Sequence, residues 1–311
     1  MKFPFLDPTP SPCPPRLLAQ ARAAGTAPRV ALVSAGSATA LAGLREAVEA
    51  GLADPILIGD PAGIQAAATS IGWDIAGFRV VTAAEDQTSA TAAALAVAGE
   101  ADSIMKGQIH TSTMLKGLLP SAAGLRAKGD ICAHMFHITV DGNDRALILT
   151  DAALNATPDV ATRQAALIQA VRLSRLLGDD LPKVGILAPS EDITPGIPCT
   201  GEAAEIALWA KDALPGVIVE GPMALDLMLS AESARIKGFD SRIAGDPDII
   251  LVPEITSGNA IAKLMMLGMG ACAGGIVMGA RVPILLTSRS QGAADRLASA
   301  ALGAIVARGG A

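Results

Sequence analysis

The segment 283–295 has the residue types most suited to chemistry. Thr287, Ser288 and Arg289 directly follow the apolar run PILL, and Asp295 comes six residues after the arginine. An arginine offers parallel N–H groups that match phosphate oxygens, and neighbouring hydroxyls add hydrogen bonds. The segment therefore predicts an oxyanion site. Asp295 fits two roles here, a catalytic base or a carboxylate favoured by the dipole in the first helical turn.

Three earlier segments have the same form, with polar residues just beyond an apolar run. Open α/β sheets bind ligands at such positions, outside the carboxyl ends of their strands. The candidate binding residues are Lys106, Gly107 and Thr111 in the first segment, Asp151 and Asn155 in the second, and Ser257, Gly258, Asn259 and Lys263 in the third.

Each segment also has a structural interpretation. Lys106 fits a surface lysine, Thr111 a helix N-cap, and Asp151 the cap of a turn. The third segment opens a predicted helix, whose N–H groups would favour an anion, although the same residue types are ordinary caps.

Composition and motifs exclude several classes of function. The formal net charge is −6, and five Phe, two Trp and no Tyr leave few platforms for base stacking, so nucleic acid is not an expected partner. No lysine follows a glycine, which excludes the P-loop. The G-x-G-x-x-A match at 268–273 lies after a predicted helix and before a strand, the reverse of a dinucleotide-binding turn.

Histidines and cysteines predict neither a metal site nor a disulfide framework. His134 and His137 lie three residues apart on a predicted strand, so their side chains point to opposite faces. The cysteines are widely spaced and fit a reducing cytoplasm; they are Cys13, Cys132, Cys199 and Cys272. The uncharged run 264–280 is short and glycine-rich, which argues against a membrane span.

The elements that must position these residues alternate along the chain. Short runs of Val, Ile and Leu alternate with alanine-rich helical segments, as in parallel sheets covered by helices. HMFHITV and ALILTD predict an antiparallel hairpin. The pattern further predicts one helix over 224–237, another over 259–267, and an extended proline-rich arm over 1–15.

Five motifs in order resemble the phosphate acetyltransferase and phosphate butyryltransferase family. They are MKG with a later threonine at 105–111, TDAALN at 150–155, EGPMALD at 220–226, AGDPDIILVPEITSGNAIAKL at 244–264, and VPILLTSRS with a later aspartate at 282–295. The resemblance covers nearly all of the chain after the arm.

The resemblance implies a reaction, a fold and residue roles. The family interconverts acyl-CoA plus phosphate with acyl phosphate plus CoA, without a metal or a permanently bound cofactor. Its α/β fold is similar to that of isocitrate and isopropylmalate dehydrogenases, with the active site in an interdomain cleft. By this resemblance Arg289 holds phosphate, Ser288 stabilises the tetrahedral transition state, and Asp295 takes the thiol proton. The other candidates, with Thr287, bind phosphate or acyl-CoA.

The resemblance also sets the expected organisation. Residues 1–130 with 285–311 form the first domain, and 131–284 form the second. We expect small-molecule substrates, no membrane or nucleic-acid partner, a homodimer or larger homo-oligomer, and a cytoplasmic location.

Departures from the family pattern leave the acyl chain length open. Acetyl members commonly have Ser-Arg-Gly followed by cysteine and serine, whereas residues 288–292 here are SRSQG. The preceding LTSR is more like the butyryl branch. Acetyl transfer is the leading expectation and butyryl transfer the alternative, with an NAD-dependent decarboxylating dehydrogenase of the same fold as a remote one. Arg126 is a positional candidate for a further substrate-binding arginine.

Overall fold

Strands and helices alternate throughout the part of the chain that the computed structural model describes, which is residues 6–143, 145–288 and 291–309. The helices are α1 (Pro15–Ala23), α2 (Ala38–Glu49), α3 (Pro61–Ser70), α4 (Thr88–Val97), α5 (Thr111–Leu118), α6 (Val160–Leu176), α7 (Pro198–Ala213), α8 (Leu225–Leu229), α9 (Ala231–Lys237), α10 (Ile255–Met269) and α11 (Ala293–Gly309). The strands are β1 (Arg29–Val33), β2 (Asp54–Gly59), β3 (Arg79–Thr82), β4 (Ser103–Lys106), β5 (Ala133–Thr139), β6 (Ala146–Thr150), β7 (Lys183–Leu187), β8 (Ile218–Met223), β9 (Ile249–Leu251), β10 (Cys272–Met278) and β11 (Ile284–Leu285). The predicted α/β class is confirmed.

The chain divides into two compact units. Residues 12–130 and 274–311 form what we call the first unit, and residues 1–11 and 131–273 form the second unit. The chain passes from the second unit back to the first within β10.

The first unit has a mostly parallel sheet in the order β3-β2-β1-β4-β11-β10. Only the β10–β11 pair is antiparallel among the described pairings of this unit. The residues of β1 from Val30 to Val33 are all at most 1% exposed, as expected for a strand covered on both faces. Helix α11 packs against α1 and α2.

The second unit has the strand order β5-β6-β9-β7-β8. β5 and β6 form the predicted antiparallel hairpin, and the remaining described pairs are parallel. Its buried cluster includes Leu149, Ile250, Leu227 and Ala262, which come from β6, β9, α8 and α10. Apolar side chains from strands and helices thus form one core within this unit.

Two helix predictions in the second unit are wrong. The helix expected over 224–237 is divided into α8 and α9, because Ser230 has an extended backbone and its side chain caps α9 through the Ser233 N–H group. The helix expected from Asn259 begins four residues earlier, at Ile255, because Glu254 caps it.

The predicted domain limits differ from the two units at two places. Residues 274–284 belong to the first unit, where Ile276 of β10 lies opposite Leu285 of β11. Residues 1–11 belong to the second unit, where the Ser11 N–H donates to the Gly270 carbonyl at 2.7 Å. Pairing between segments far apart in the chain decides both assignments.

Candidate active site

Three neighbouring strands of the first unit end at one edge of its sheet. β4 is parallel to β1, with Val33 opposite Lys106, and parallel to β11 on its other side. The segments that follow these strands, 34–37, 107–110 and 286–288, therefore begin at the same edge.

Lys106 and Gly107 are buried at this edge. The Lys106 side chain is only 9% exposed, so the surface-lysine interpretation is wrong, and its Nζ lies 3.4 Å from the Gly107 carbonyl oxygen. A Cβ atom at residue 107 would lie 2.2 Å from the Val33 oxygen and 2.7 Å from the Ser34 oxygen. Glycine is required here because the backbones of the two segments approach each other so closely.

Thr111 begins α5 as its first helical residue and is half-buried. The N-cap position belongs to His110, so the interpretation of Thr111 as the cap is wrong. The Thr111 hydroxyl is thus not required to close the helix end.

The segment of sequence between β11 and α11 contains two of the candidate catalytic residues, Ser288 and Arg289. The Ser288 N–H donates to Oε1 of Gln291, and the Gln291 N–H donates back to the Ser288 carbonyl at 3.1 Å. Gln291 is buried, and its role was missed; a glutamine between a buried strand and a helix was the available signal. Thr287 precedes Ser288, and Arg289 lies outside the described residues together with Ser290.

Asp295 lies in the first turn of α11, as predicted. Its Oδ2 accepts a hydrogen bond from the Gly292 N–H at 2.9 Å. This bond from the third helical residue back to the cap is one half of a capping box. Asp295 therefore has a structural role at the helix start, whatever else it does.

Cys13 comes within electrostatic range of Asp295. Burial, together with the negative charge of Asp295, raises the pKa of the Cys13 thiol to about 12. The sequence indicated no cysteine near this segment, because Cys13 is about 280 residues away along the chain. A thiol with so high a pKa is almost entirely protonated at neutral pH and is a poor nucleophile.

The loop 34–37 at the same edge was not predicted as part of the site. Ser34 has a left-handed backbone with φ of 54°, its hydroxyl lies 2.9 Å from that of Thr88, and its carbonyl accepts the Gln108 N–H at 3.1 Å. Ser37 caps α2 through the Ala40 N–H. The polar SAGS sequence after the apolar run VALV was the available signal.

Asp151 in the second unit caps its own turn. Its Oδ1 accepts the N–H groups of Ala153 and Leu154 at 3.0 and 2.9 Å. Its Oδ2 accepts the backbone N–H of Asn155 at 3.2 Å and the Asn155 side-chain amide at 2.6 Å. These four donors fill the acceptor positions of a carboxylate, which supports the turn-cap interpretation.

Asn155, Gly258 and Asn259 join this turn to neighbouring segments. Asn155 also donates from Nδ2 to the Cys132 carbonyl at 2.9 Å, and Asn259 donates to the Ala152 carbonyl at 3.3 Å. A Cβ at residue 258 would lie 2.8 Å from the Asp151 carbonyl oxygen. The structure therefore brings together the second and third polar segments, through close backbone packing of α10 against the turn.

The N-terminus of α10 is capped by Glu254, which sequence analysis missed. Its carboxylate accepts the N–H groups of Thr256 at 2.6 Å and Ser257 at 2.8 Å, and also the Ser257 hydroxyl. Partial desolvation raises the pKa of the Glu254 carboxyl, but these hydrogen bonds outweigh it and lower the pKa to about 2. The expected anion site on these N–H groups is wrong, because the chain supplies its own carboxylate.

Lys263 and Arg126 lie apart from these contacts. Lys263 is exposed on α10, four residues after Asn259. Arg126 of the first unit donates from Nε to the Leu119 carbonyl at 2.6 Å and from Nη1 to the Asp130 carbonyl at 2.7 Å. Arg126 thus holds a loop of its own unit.

The described residues show neither a metal centre nor a membrane-spanning helix. In the described parts of the chain, no group of three or more His, Cys, Asp and Glu residues is arranged to hold a metal ion. None of the helices among the described residues has both the length and the apolar character needed to cross a membrane.

The comparison with protein families identifies the chain. The family model for phosphate acetyl/butaryl transferase matches residues 85–304, which is more than half of the sequence. The chain belongs to this family. The resemblance predicted from the five motifs is thereby confirmed, and the protein is an acyltransferase enzyme.

Individual members of the family are similar over nearly the whole chain. The phosphate acetyltransferase of Rhizobium meliloti is 38% identical over 295 residues, which cover 94% of this chain and 92% of the relative. The phosphate butyryltransferase of Clostridium acetobutylicum is 34% identical over 281 residues, covering 90% and 93%. The crystal structure of a branched-chain phosphotransacylase from Enterococcus faecalis V583 matches with a TM-score of 0.77 and 26% identity, covering 90% of this chain and 99% of that one.

The family match includes every candidate site residue. Lys106, the first of them, and Asp295, the last, both lie within residues 85–304. Relatives of both the acetyl and the butyryl type are similar to this chain by nearly the same amount.

Proposed function

We propose that this enzyme interconverts acyl-CoA plus inorganic phosphate with acyl phosphate plus CoA, with acetyl as the preferred acyl group. The observation that carries the proposal is the edge of the first-unit sheet. There Ser288 follows β11, Asp295 lies in the first turn of α11, and the buried Lys106 ends the adjacent strand β4.

Asp295 is the proposed general base. A thiol has a pKa of about 8.5, so only a small fraction of CoA is thiolate at neutral pH, and a carboxylate that takes the proton removes this handicap. The thiolate then attacks the carbonyl carbon of the acyl phosphate. A C–S bond forms, the C–O bond to phosphate breaks, and phosphate leaves with the electron pair. The reverse direction returns the proton from Asp295 to the sulfur.

Positive charge and hydrogen-bond donors stabilise the oxygens that gain charge. We assign the Ser288 hydroxyl to the developing oxyanion and the Arg289 guanidinium to phosphate, in accordance with the family resemblance. Lys106 adds positive charge at the same edge, and donors fixed in advance are the main source of such stabilisation. Gly107, Thr111 and Thr287 complete the proposed phosphate and acyl-CoA contacts of this unit.

In this proposal the second unit contributes the turn 151–155, whose position is fixed by its own hydrogen bonds. Asp151, Asn155, Ser257, Gly258 and Asn259 make their observed contacts with one another or with adjacent backbone. We therefore propose that these residues fix the position of backbone groups that bind the substrates. Lys263, which is exposed, is the residue of this group suited to a phosphate group of CoA.

Several finer points remain predictions. These are the dehydrogenase-like arrangement with an interdomain active site, the homo-oligomer, the cytoplasmic location and the absence of a permanently bound cofactor. Butyryl transfer is the second candidate, supported by the LTSR sequence at 286–289 and by the similar identity to a butyryltransferase.

Thiol release measures the proposed reaction directly. Purified protein treated with chelator is given acetyl-CoA or butyryl-CoA, with and without phosphate, and CoA thiol is titrated. We expect phosphate-dependent release, faster with acetyl-CoA. Faster release from butyryl-CoA would support the second candidate, and no release from either would contradict the proposal.

A further inference from the structure

A small cavity lies in the second unit where β9 ends and α6 begins. Asp151, Asn155, Arg163 and Glu254 line it, together with apolar groups that include Leu251. The cavity is small and has room for about one water molecule.

Arg163 is buried beside this cavity with part of its guanidinium unpartnered. The side chain is 1% exposed, and its Nη1 donates to Oε2 of Glu202 at 3.1 Å. Among the described residues, its Nε and Nη2 have no hydrogen-bond partner. A buried donor without a partner costs free energy, so two on one side chain require an explanation.

Charge decides which ligand suits these two donors. Nε–H and Nη2–H are the parallel pair that binds oxyanions side-on. However, the cavity lining contains two carboxylates and one guanidinium, so its net charge is negative and a further anion would be repelled. A neutral molecule that both accepts and donates hydrogen bonds fits this lining, and water does both.

Acceptors for such a water are present among the other lining residues. The Asp151 oxygens already accept four N–H groups. Glu254 accepts one N–H at Oε2, which leaves capacity on that atom, and Asn155 uses its side-chain nitrogen as a donor. Glu254 Oε2 and Asn155 Oδ1 therefore remain as acceptors, beside the Thr162 hydroxyl, which also lines the cavity.

We propose that water in this cavity accepts from Arg163 Nε and Nη2 and donates to Glu254 and Asn155, which makes Arg163 a positioning residue for the turn 151–155. A bridging water is nearly as favourable as a direct hydrogen bond. The bridging water would connect α6 to the turn 151–155 and to the start of α10. The turn and α10 contain the candidate binding residues of this unit.

Amide hydrogen exchange at residues 153–155 tests the proposal without reference to activity, because these N–H groups bond to Asp151. Arg163→Met retains an unbranched side chain and removes the donors. We expect about tenfold faster exchange in Arg163→Met. Arg172→Met is the matched control on the exposed side of the same helix and should leave this exchange unchanged. Unchanged exchange in a folded Arg163→Met protein would overturn the proposal.

Two further measurements keep the proposal testable if Arg163→Met does not fold. Arg163→Lys retains a charge beside Glu202 but loses the parallel donors, and it should also speed exchange. A high-resolution crystal structure of the unaltered protein grown in phosphate should show water on Nε and Nη2; phosphate there would refute the proposal.

Kinetics adds a functional readout, and this part rests on the proposed function. In Arg163→Met the KM for acyl-CoA should rise several-fold, with a smaller change in kcat. If the unaltered protein transfers no acyl group, the proposed function fails, whereas the exchange experiment still decides the role of Arg163. If exchange speeds up but KM is unchanged, the turn is positioned without a role in binding, and the functional part is wrong.

Discussion

At the scale of single residues, Asp295 combines a structural bond with a proposed chemical role. Its Oδ2 holds the Gly292 N–H at the start of α11, and its charge contributes to the high pKa of Cys13. A carboxylate held by a helix start has a defined position, which a general base requires. The two roles are therefore compatible, and substitution can separate them.

Asp295→Asn retains the size of the side chain and an acceptor for Gly292 while removing the base. We expect turnover to fall by about 10²- to 10⁴-fold at neutral pH, the usual contribution of general base catalysis. The loss should shrink as pH approaches the thiol pKa of about 8.5, because solvent then supplies thiolate. Steady-state rates from pH 6 to about 9 measure this trend.

Asp60→Asn is the matched control for that experiment. Asp60 also accepts an N–H at a helix start of the first unit, from Gly63 at 2.8 Å. It should lower the melting temperature slightly and leave turnover unchanged. Near-normal turnover in folded Asp295→Asn would show that Asp295 is structural only and that the base lies elsewhere.

At the scale of elements, the chain's own groups fill the space beside two of the candidate binding segments. Glu254 takes the N–H groups at the start of α10, and Val33 and Ser34 of the β1 segment lie against Gly107. Substitution of Glu254 or Gly107 should therefore lower the stability of the folded protein.

Glu254→Gln should lower the free energy of unfolding by about 1 kcal/mol at pH 7, as for loss of a helix cap. The folded-state pKa of about 2 lies below the ordinary value of 4.5. The unfolded state therefore takes up the proton first as pH falls, and the stabilisation is lost between about pH 5 and pH 2. Chemical unfolding at several pH values should show the two proteins converging over this range.

Glu205→Gln, at an exposed position of α7, is the control for Glu254→Gln. Its stability difference from the unaltered protein should be small at every pH. A difference for Glu254→Gln that stays constant down to pH 2 would mean that the carboxylate charge does not contribute to the cap.

Gly107→Ala should destabilise the first unit by about 1 to 3 kcal/mol, because the new methyl group meets backbone oxygens that cannot move without disturbing β1. Thermal unfolding measures the loss. Gly77→Ala is the control, since an added Cβ there has no atom within 4 Å. A melting temperature for Gly107→Ala equal to that of the control would contradict the close packing of β1 and β4.

At the scale of the whole molecule, we predict that the acyl group is transferred directly between two bound substrates. All four cysteines are without disulfides, and three are buried. Burial raises the pKa of the Cys13 thiol, and a protonated thiol is neither a metal ligand nor a good nucleophile. An acyl group carried on cysteine is therefore not expected.

Replacing all four cysteines by alanine should leave turnover within about tenfold of the unaltered enzyme, since thiol nucleophiles are not needed for the proposed reaction. Mass spectrometry of the unaltered enzyme with acetyl-CoA should detect no acylated cysteine. Adding Asp295→Asn to the cysteine-free protein gives the inactive reference. A trapped acyl-cysteine that turns over at the catalytic rate would refute direct transfer.

The sequence by itself determined the α/β class, the hairpin of β5 and β6, most element positions and the family. These features depend on local information: apolar periodicity, turn residues, and motifs that keep their order along the chain. The predicted start of α10 is four residues late because Glu254 follows an apolar run and nothing in the sequence marks it as a helix cap. A glutamate that caps a helix can be distinguished from any other glutamate only by its contacts in the folded protein.

Only the tertiary structure decided which residues share a site. It brought Cys13 within range of Asp295, assigned residues 274–284 to the first unit, and buried Arg163 beside the Asp151 turn. It also showed that Lys106 is buried and that Asp151 has no acceptor position left for a ligand. Burial and hydrogen-bond satisfaction depend on segments distant in the chain, so no local pattern carries them.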